Sequence, residues 1–189
     1  MKKTYPKQEP DFSETGLSSK TAHRGGFFEL KEDRVRLPDG KETVREYLIH
    51  PGAVVIIPVL DNGDLVMEWQ YRYALKQHFY ELPAGKLKPG EDPLECAKRE
   101  LLEETGYVAQ RWQCLGATYP CVGYSNEKQL FYLARGLRLR ERQLDDGEFL
   151  EVLTLDWATL VKWVRKGKIT DGKTLNGLFW FARLRRGAI

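Results

Sequence analysis

The 189-residue chain is predicted to be α/β, a mixed sheet with helices on both sides. Three observations predict it: strand-length apolar runs bounded by turn residues, one well-capped helix in mid-chain, and two amphipathic helices at the end. Residues 1–25 are polar, rich in Ser, Thr, Lys and Pro, and lack periodicity, so they read as a flexible tail or arm. Residues 26–50 read as a β extension, in which strands at 27–37 and 42–49 are joined by the turn chemistry of Pro38-Asp39-Gly40. The main domain, 51–189, opens with runs at 53–60 and 65–71 around Asp61-Asn62-Gly63-Asp64, a second hairpin expected to be buried on both faces. Strands at 112–119, 129–137 and 150–155 follow the central helix, and helices at 157–166 and 175–185 close the chain.

Composition narrows the class. Charged residues make up 30% and the net charge is only +3, an ordinary surface with no basic stripe for nucleic acid. Cys96, Cys114 and Cys121 are odd in number and lack zinc spacing, which favours a reducing cytoplasm over a disulfide framework. No signal peptide or long apolar span is apparent, so no membrane is expected as a partner.

The informative stretch is GKLKPGEDPLECAKRELLEETGY, from Gly85 to Tyr107. Asp92 suits an N-cap, Pro93 the first helical position, Glu95 a capping-box acid and Gly106 the C-terminal stop. Glu100 and Glu104 are one turn apart with Glu103 adjacent, so three carboxylates share a face while Leu94, Ala97 and Leu101 take the apolar stripe. Such clustering costs about 0.2–0.5 kcal/mol per like-charged pair unless a cation joins it. The bland reading is a solvated face on which Lys98 and Arg99 offset the acids. The sharper one is a hard divalent cation, Mg²⁺ or Mn²⁺, held by oxygen ligands.

The segment resembles the box of the Nudix hydrolases, G-x5-E-x7-R-E-U-x-E-E-x-G-U with U apolar, and meets it at Gly85, Glu91, Arg99, Glu100, Leu101, Glu103, Glu104, Gly106 and Tyr107. The resemblance implies an α/β/α sandwich and hydrolysis of a pyrophosphate within a nucleoside diphosphate linked to another moiety. The runs RVRLPDGK, HPGAVVIIPV, QYRYA, ELPAGKL, GYSNEK and GEFLEV resemble the ADP-ribose pyrophosphatase and nucleotide-sugar branch. That branch implies a homodimer in which the N-terminal sheet packs on the second subunit.

By the same resemblance, Glu100, Glu104, Glu103 and the carbonyl of Ala84 hold the metal, while Arg99 orients the acids and Glu91 does either job. The general base falls at Glu148, with Glu151 as the alternative, and a solvated turn is the bland reading of both. Arg72, Glu81, Ser125 and Glu127 fall at substrate-contact positions, Arg72 against phosphate or in a structural ion pair. Trp69, Tyr119, Tyr124 and Phe27 or Phe28 are candidates for stacking on a base. The implied reaction takes ADP-ribose to AMP and ribose 5-phosphate. One departure bears on substrate: the ADP-ribose enzymes carry a proline sixteen residues after the last box glycine, where this chain has Val122. GDP-mannose or another nucleotide sugar therefore stays open, as does a non-catalytic nucleotide-sugar-sensing module.

Overall fold

The computed structural model describes residues 10–142, 147 and 149–185. These form two compact units. The first holds the described residues up to His50 together with Gly123–Asn126, and the second holds Pro51–Val122 and the described residues from Glu127 onward.

The first unit is an antiparallel sheet of β1 (Thr15–Arg24), β2 (Glu29–Arg36) and β3 (Glu42–Ile49), in the order β1-β2-β3. The Pro38-Asp39-Gly40 turn forms as expected, with Gly40 at φ +85° donating to the Leu37 carbonyl at 2.9 Å. Strand β1 places Thr15–Arg24 in a sheet where the sequence predicts a tail or arm over 1–25, and residues 1–9 of that segment lie outside the described residues. Nine of the strand's ten residues are exposed, so it carries no apolar alternation to betray it. Ladder hydrogen bonds and cross-strand pairs such as Lys20 with Glu32, at 2.7 Å, hold it instead. Residues 123–126 join this unit by a parallel bridge between Leu48 and Ser125.

The second unit contains β4 (Ala53–Val59), β5 (Leu65–Arg72), β6 (Gln77–Glu81), β7 (Ala84–Lys86), α1 (Pro93–Thr105), β8 (Tyr107–Thr118), β9 (Gln129–Leu139), β10 (Leu150–Leu155), α2 (Trp157–Arg165) and α3 (Gly172–Arg185). The sheet order is β10-β5-β4-β9-β8, with β4 and β9 parallel and the other neighbours antiparallel. Every residue of β4 is buried. Val54 and Ile56 face α1 through Cys96, Ala97 and Leu101, whereas Val55 and Ile57 face α2 and α3 through Leu160, Leu178 and Phe181. That alternation makes three layers.

The expected hairpin around Asp61-Gly63 is nearly open. β4 and β5 pair only at Val59 with Leu65, because the segment carrying β6 and β7 wedges between them. β6 completes β5, β7 completes β4, and the Ile56 N–H donates to the Pro83 carbonyl at 2.8 Å. The wedge satisfies the backbone groups that a closed hairpin would have paired, and it carries Ala84 and Gly85 into the sheet. No helix among the described residues is long and apolar enough to cross a membrane.

Candidate active site

Helix α1 starts and stops where its sequence dictates. Asp92 accepts from the N–H groups of Leu94 and Glu95 at 2.9 and 3.2 Å, and Gly106 ends the helix at φ +73°, left-handed backbone that glycine adopts without steric cost. The Glu95 carboxylate takes the Lys98 ammonium at 2.7 Å. With Ala97 and Leu101 fully buried, Glu100, Glu103 and Glu104 are left on one side, toward the start of β7.

The loop and the acids meet closely. Glu104, 4% exposed, accepts the Ala84 N–H at 3.0 Å. Gly85 lies so near Glu100 that a β-carbon there would stand 1.8 Å from the Glu100 Cδ. Arg99 braces the group from the other side. Its Nε and Nη2 reach the two Glu91 oxygens at 2.8 and 3.0 Å, and its Nη1 donates to Glu100 at 2.7 Å and Glu103 at 2.8 Å. The structure thus brings Ala84, Gly85, Glu91, Arg99, Glu100, Glu103 and Glu104 together.

Electrostatics follow from that bracing. Hydrogen bonds from Arg99, and then the Lys88 N–H, push the Glu91 carboxyl down to about 2 against the opposing effect of burial. A group depressed in the folded state adds stability above its ordinary value near 4.5 and loses it as pH falls toward 2. Glu91→Gln should therefore lower the melting temperature at neutral pH, with the gap to wild type closing below about pH 4. Melting curves in a chelator across that range check it, and a pH-independent gap contradicts it.

Sequence reasoning missed Glu68. This β5 residue is 2% exposed, its carboxyl hydrogen-bonds that of Glu104, and its Oε1 has no partner among the described residues. Burial, with Glu81 adding, pushes it up to about 8 despite Lys173 and Arg72. The available signal was an acid ending the apolar run Leu65-Val66-Met67.

Arg72 and Glu81 form a buried-edge ion pair. Arg72 Nε and Nη2 donate to the Glu81 oxygens at 2.8 and 2.6 Å, and Lys173 Nζ donates to the same carboxylate. Burial works to raise Glu81, but Arg72 and Lys173 outweigh it and the pKa is lowered. Of the other candidates, Ser125 lies in the first unit, and Glu127, in the second, accepts from Gln129 Nε2 at 2.9 Å. Glu148 lies outside the described residues, while Glu151 sits exposed on β10 opposite Trp69. Trp69 stacks on His78 at 5.0 Å and tilts on Tyr80 at 4.3 Å, and Phe27 meets Phe28 and His50 edge-on. Tyr119 and Tyr124 are exposed.

The donor set fits a hard divalent cation. Glu91, Glu100 and Glu103 surround one guanidinium and Glu104 lies on the same helix as the last two, against the Ala84 N–H, leaving an excess of negative charge. No three His, Cys, Asp or Glu side chains among the described residues form a ready ligand cluster. Mg²⁺ does not need one, since it commonly takes one or two carboxylates plus water and phosphate oxygens.

Comparison with known proteins agrees with this geometry. Residues 49–174 match the NUDIX domain, and residues 14–48 match the nucleoside diphosphate sugar hydrolase N-terminal domain. The chain is 37% identical over 163 residues to an ADP-ribose pyrophosphatase of Bacillus subtilis, covering 85% of this chain and 88% of that protein. It is 40% identical over 166 residues to an ADP-ribose pyrophosphatase of Mycobacterium tuberculosis, covering 86% and 80%. A crystal structure of an ADP compounds hydrolase superposes with a TM-score of 0.83 at 22% identity, over 96% of this chain and all of that one, a likeness of fold. With the domain matched over two thirds of its length and every box position filled, the chain belongs to the Nudix hydrolase family.

Proposed function

We propose that this protein hydrolyses the pyrophosphate of a nucleoside diphosphate sugar, ADP-ribose first, to AMP and ribose 5-phosphate. The observation that carries the reading is the contact of Ala84 and Gly85 with Glu104 and Glu100 in a box that keeps all its acids. Glu100, Glu104 and the Ala84 carbonyl would hold Mg²⁺, with Glu103 as a further ligand and Mn²⁺ as a substitute. The cation supplies charge neutralisation at phosphate oxygens and acidifies water. Arg99 keeps the carboxylates in place by charge-assisted hydrogen bonds, Glu91 anchors Arg99, and Gly85 and Gly106 shape the loop and the helix end.

Glu148 is the proposed general base, since box acids bound to metal are poor proton acceptors, and Glu151 is the alternative. A free Glu, with a pKa of about 4.3, is a weak base and acts on water only when the cation has acidified it. Arg72, Glu81, Ser125 and Glu127 are the proposed substrate contacts. A homodimer built through the N-terminal sheet, in the cytoplasm and without nucleic-acid or membrane partners, completes the reading. The retained acids argue against a sensing module, which has no use for them. Val122, 83% exposed in the place of a proline, favours GDP-mannose or another nucleotide sugar as the second reading.

The test is product analysis by phosphorus NMR after incubation with Mg²⁺ and ADP-ribose, GDP-mannose or UDP-sugars, with Glu148→Gln alongside. AMP from ADP-ribose is expected, and turnover of Glu148→Gln should fall about 10²-fold or more with Mg²⁺ affinity nearly intact. Unaltered nucleotide sugars from wild type would refute the activity, and unchanged turnover in the variant would move the base to Glu151.

A further inference from the structure

Arg72 is held on one edge only. Its Nε and Nη2 are spent on Glu81, and Nη1 makes no hydrogen bond among the described residues. The Arg72 side chain is 44% exposed, whereas that of Glu81 is 3% exposed. A planar guanidinium fixed from the inside in this way presents its outer edge to an incoming anion.

What fixes Glu81 comes from the far end of the chain. Lys173, in the first turn of α3 and with 13% of its side chain exposed, donates to Glu81 Oε2 and to Asp171 Oδ2, the latter at 2.9 Å. Asp171 in turn accepts from the Thr174 N–H at 3.0 Å and from its Oγ1 at 2.6 Å, capping α3. The Leu82 N–H, next to Glu81, donates to Thr174 Oγ1 at 2.8 Å. The helix start therefore grips both the Glu81 carboxylate and the backbone that follows it.

Resting on the reading that Arg72 meets a substrate phosphate, we propose that Lys173 is a positioning residue: it locks Glu81 so that Arg72 is presented, pre-oriented, to the diphosphate. Without Lys173, one cation remains on a buried carboxylate that needs both, and Arg72 is drawn inward to compensate. Orientation fixed before binding raises affinity by lowering the ordering cost. Lys173 touches no reacting atom, so its loss acts on binding and leaves the chemical step alone.

The experiment is a double-mutant cycle of Arg72→Ala and Lys173→Met, with Lys173→Arg as the conservative variant and Leu178→Val as a stability control. Binding of inorganic pyrophosphate is read by calorimetry without metal, and KM and kcat for ADP-ribose are read with Mg²⁺. Lys173→Met is expected to weaken pyrophosphate binding and raise KM by about tenfold with kcat within about threefold. Lys173→Arg should restore most of that, and Lys173→Met should add nothing once Arg72 is alanine. Leu178→Val, at a buried position of the same helix, should lower the melting temperature and leave binding alone. Additive effects of Arg72→Ala and Lys173→Met, an equal binding loss in Leu178→Val, or no pyrophosphate binding by wild type would each overturn the proposal. Lys173-dependent pyrophosphate binding without ADP-ribose turnover would leave it standing and refute the activity instead.

Discussion

Gly85→Ala is expected to abolish most activity while leaving the fold nearly intact. The added methyl would stand 1.8 Å from Cδ, 1.9 Å from Oε1 and 2.4 Å from Cγ of Glu100. Contacts that short are impossible, so something must move. The backbone at Gly85 is ladder-bonded opposite Val54, and β4 is buried along its whole length. The Glu100 carboxylate is the end of a flexible side chain, and it yields first. Leaving its place breaks the 2.7 Å bond from Arg99 and removes one proposed metal ligand. Mg²⁺ affinity should fall by about 10- to 100-fold and turnover by at least as much, with a loss of stability of about 1 kcal/mol or less in chelator. Calorimetric Mg²⁺ titration and thermal melts of the same sample separate the two effects. A variant that binds Mg²⁺ like wild type would show that Glu100 has room to spare and is no ligand. Glycine is required here for space alone, in contrast to Gly106, where the left-handed backbone at φ +73° is the constraint.

The parts legible in the sequence are those whose physical cause is local. The Asp92 cap and Pro93 start α1 and Gly106 ends it, each by a local preference, and the unbroken apolar run of 53–59 marks β4, buried along its whole length. The box is legible because its acids and Arg99 act across one or two helical turns or a short loop. What was illegible depends on residues far apart. Strand β1 has no buried face and exists by pairing with β2. The wedge of β6 and β7 opens the Asp61-Gly63 hairpin, and no turn residue announces that. Glu68 reads as a stray acid until β5 is laid beside α1, where it meets Glu104. Lys173 reads as a helix-start cation until α3 brings it to Glu81, 92 positions earlier.

Glu104→Gln is expected to cost the most turnover for the least structural change. Glu104 is 4% exposed, between the Ala84 N–H at 3.0 Å and the Glu68 carboxyl. A glutamine keeps the first contact through its carbonyl oxygen and has an amide to offer the second, so the packing of β7 on α1 persists. A buried ionised carboxylate beside another acid is costly, so removing the charge should leave the metal-free melting temperature unchanged or raise it. Activity moves the other way, because a neutral amide is a far weaker ligand for a hard cation. Loss of several kcal/mol of transition-state charge stabilisation corresponds to a fall in turnover of about 10²- to 10⁴-fold. Mg²⁺ should stabilise wild type against heat by mass action and stabilise the variant much less, so paired melts with and without Mg²⁺ read the ligand role without any substrate. Glu95→Gln, whose carboxylate faces solvent and Lys98, is the matched control and should change neither quantity. Equal Mg²⁺ shifts in wild type and Glu104→Gln would remove this carboxylate from the metal site, and with it the reason for an acid to be buried beneath Ala84.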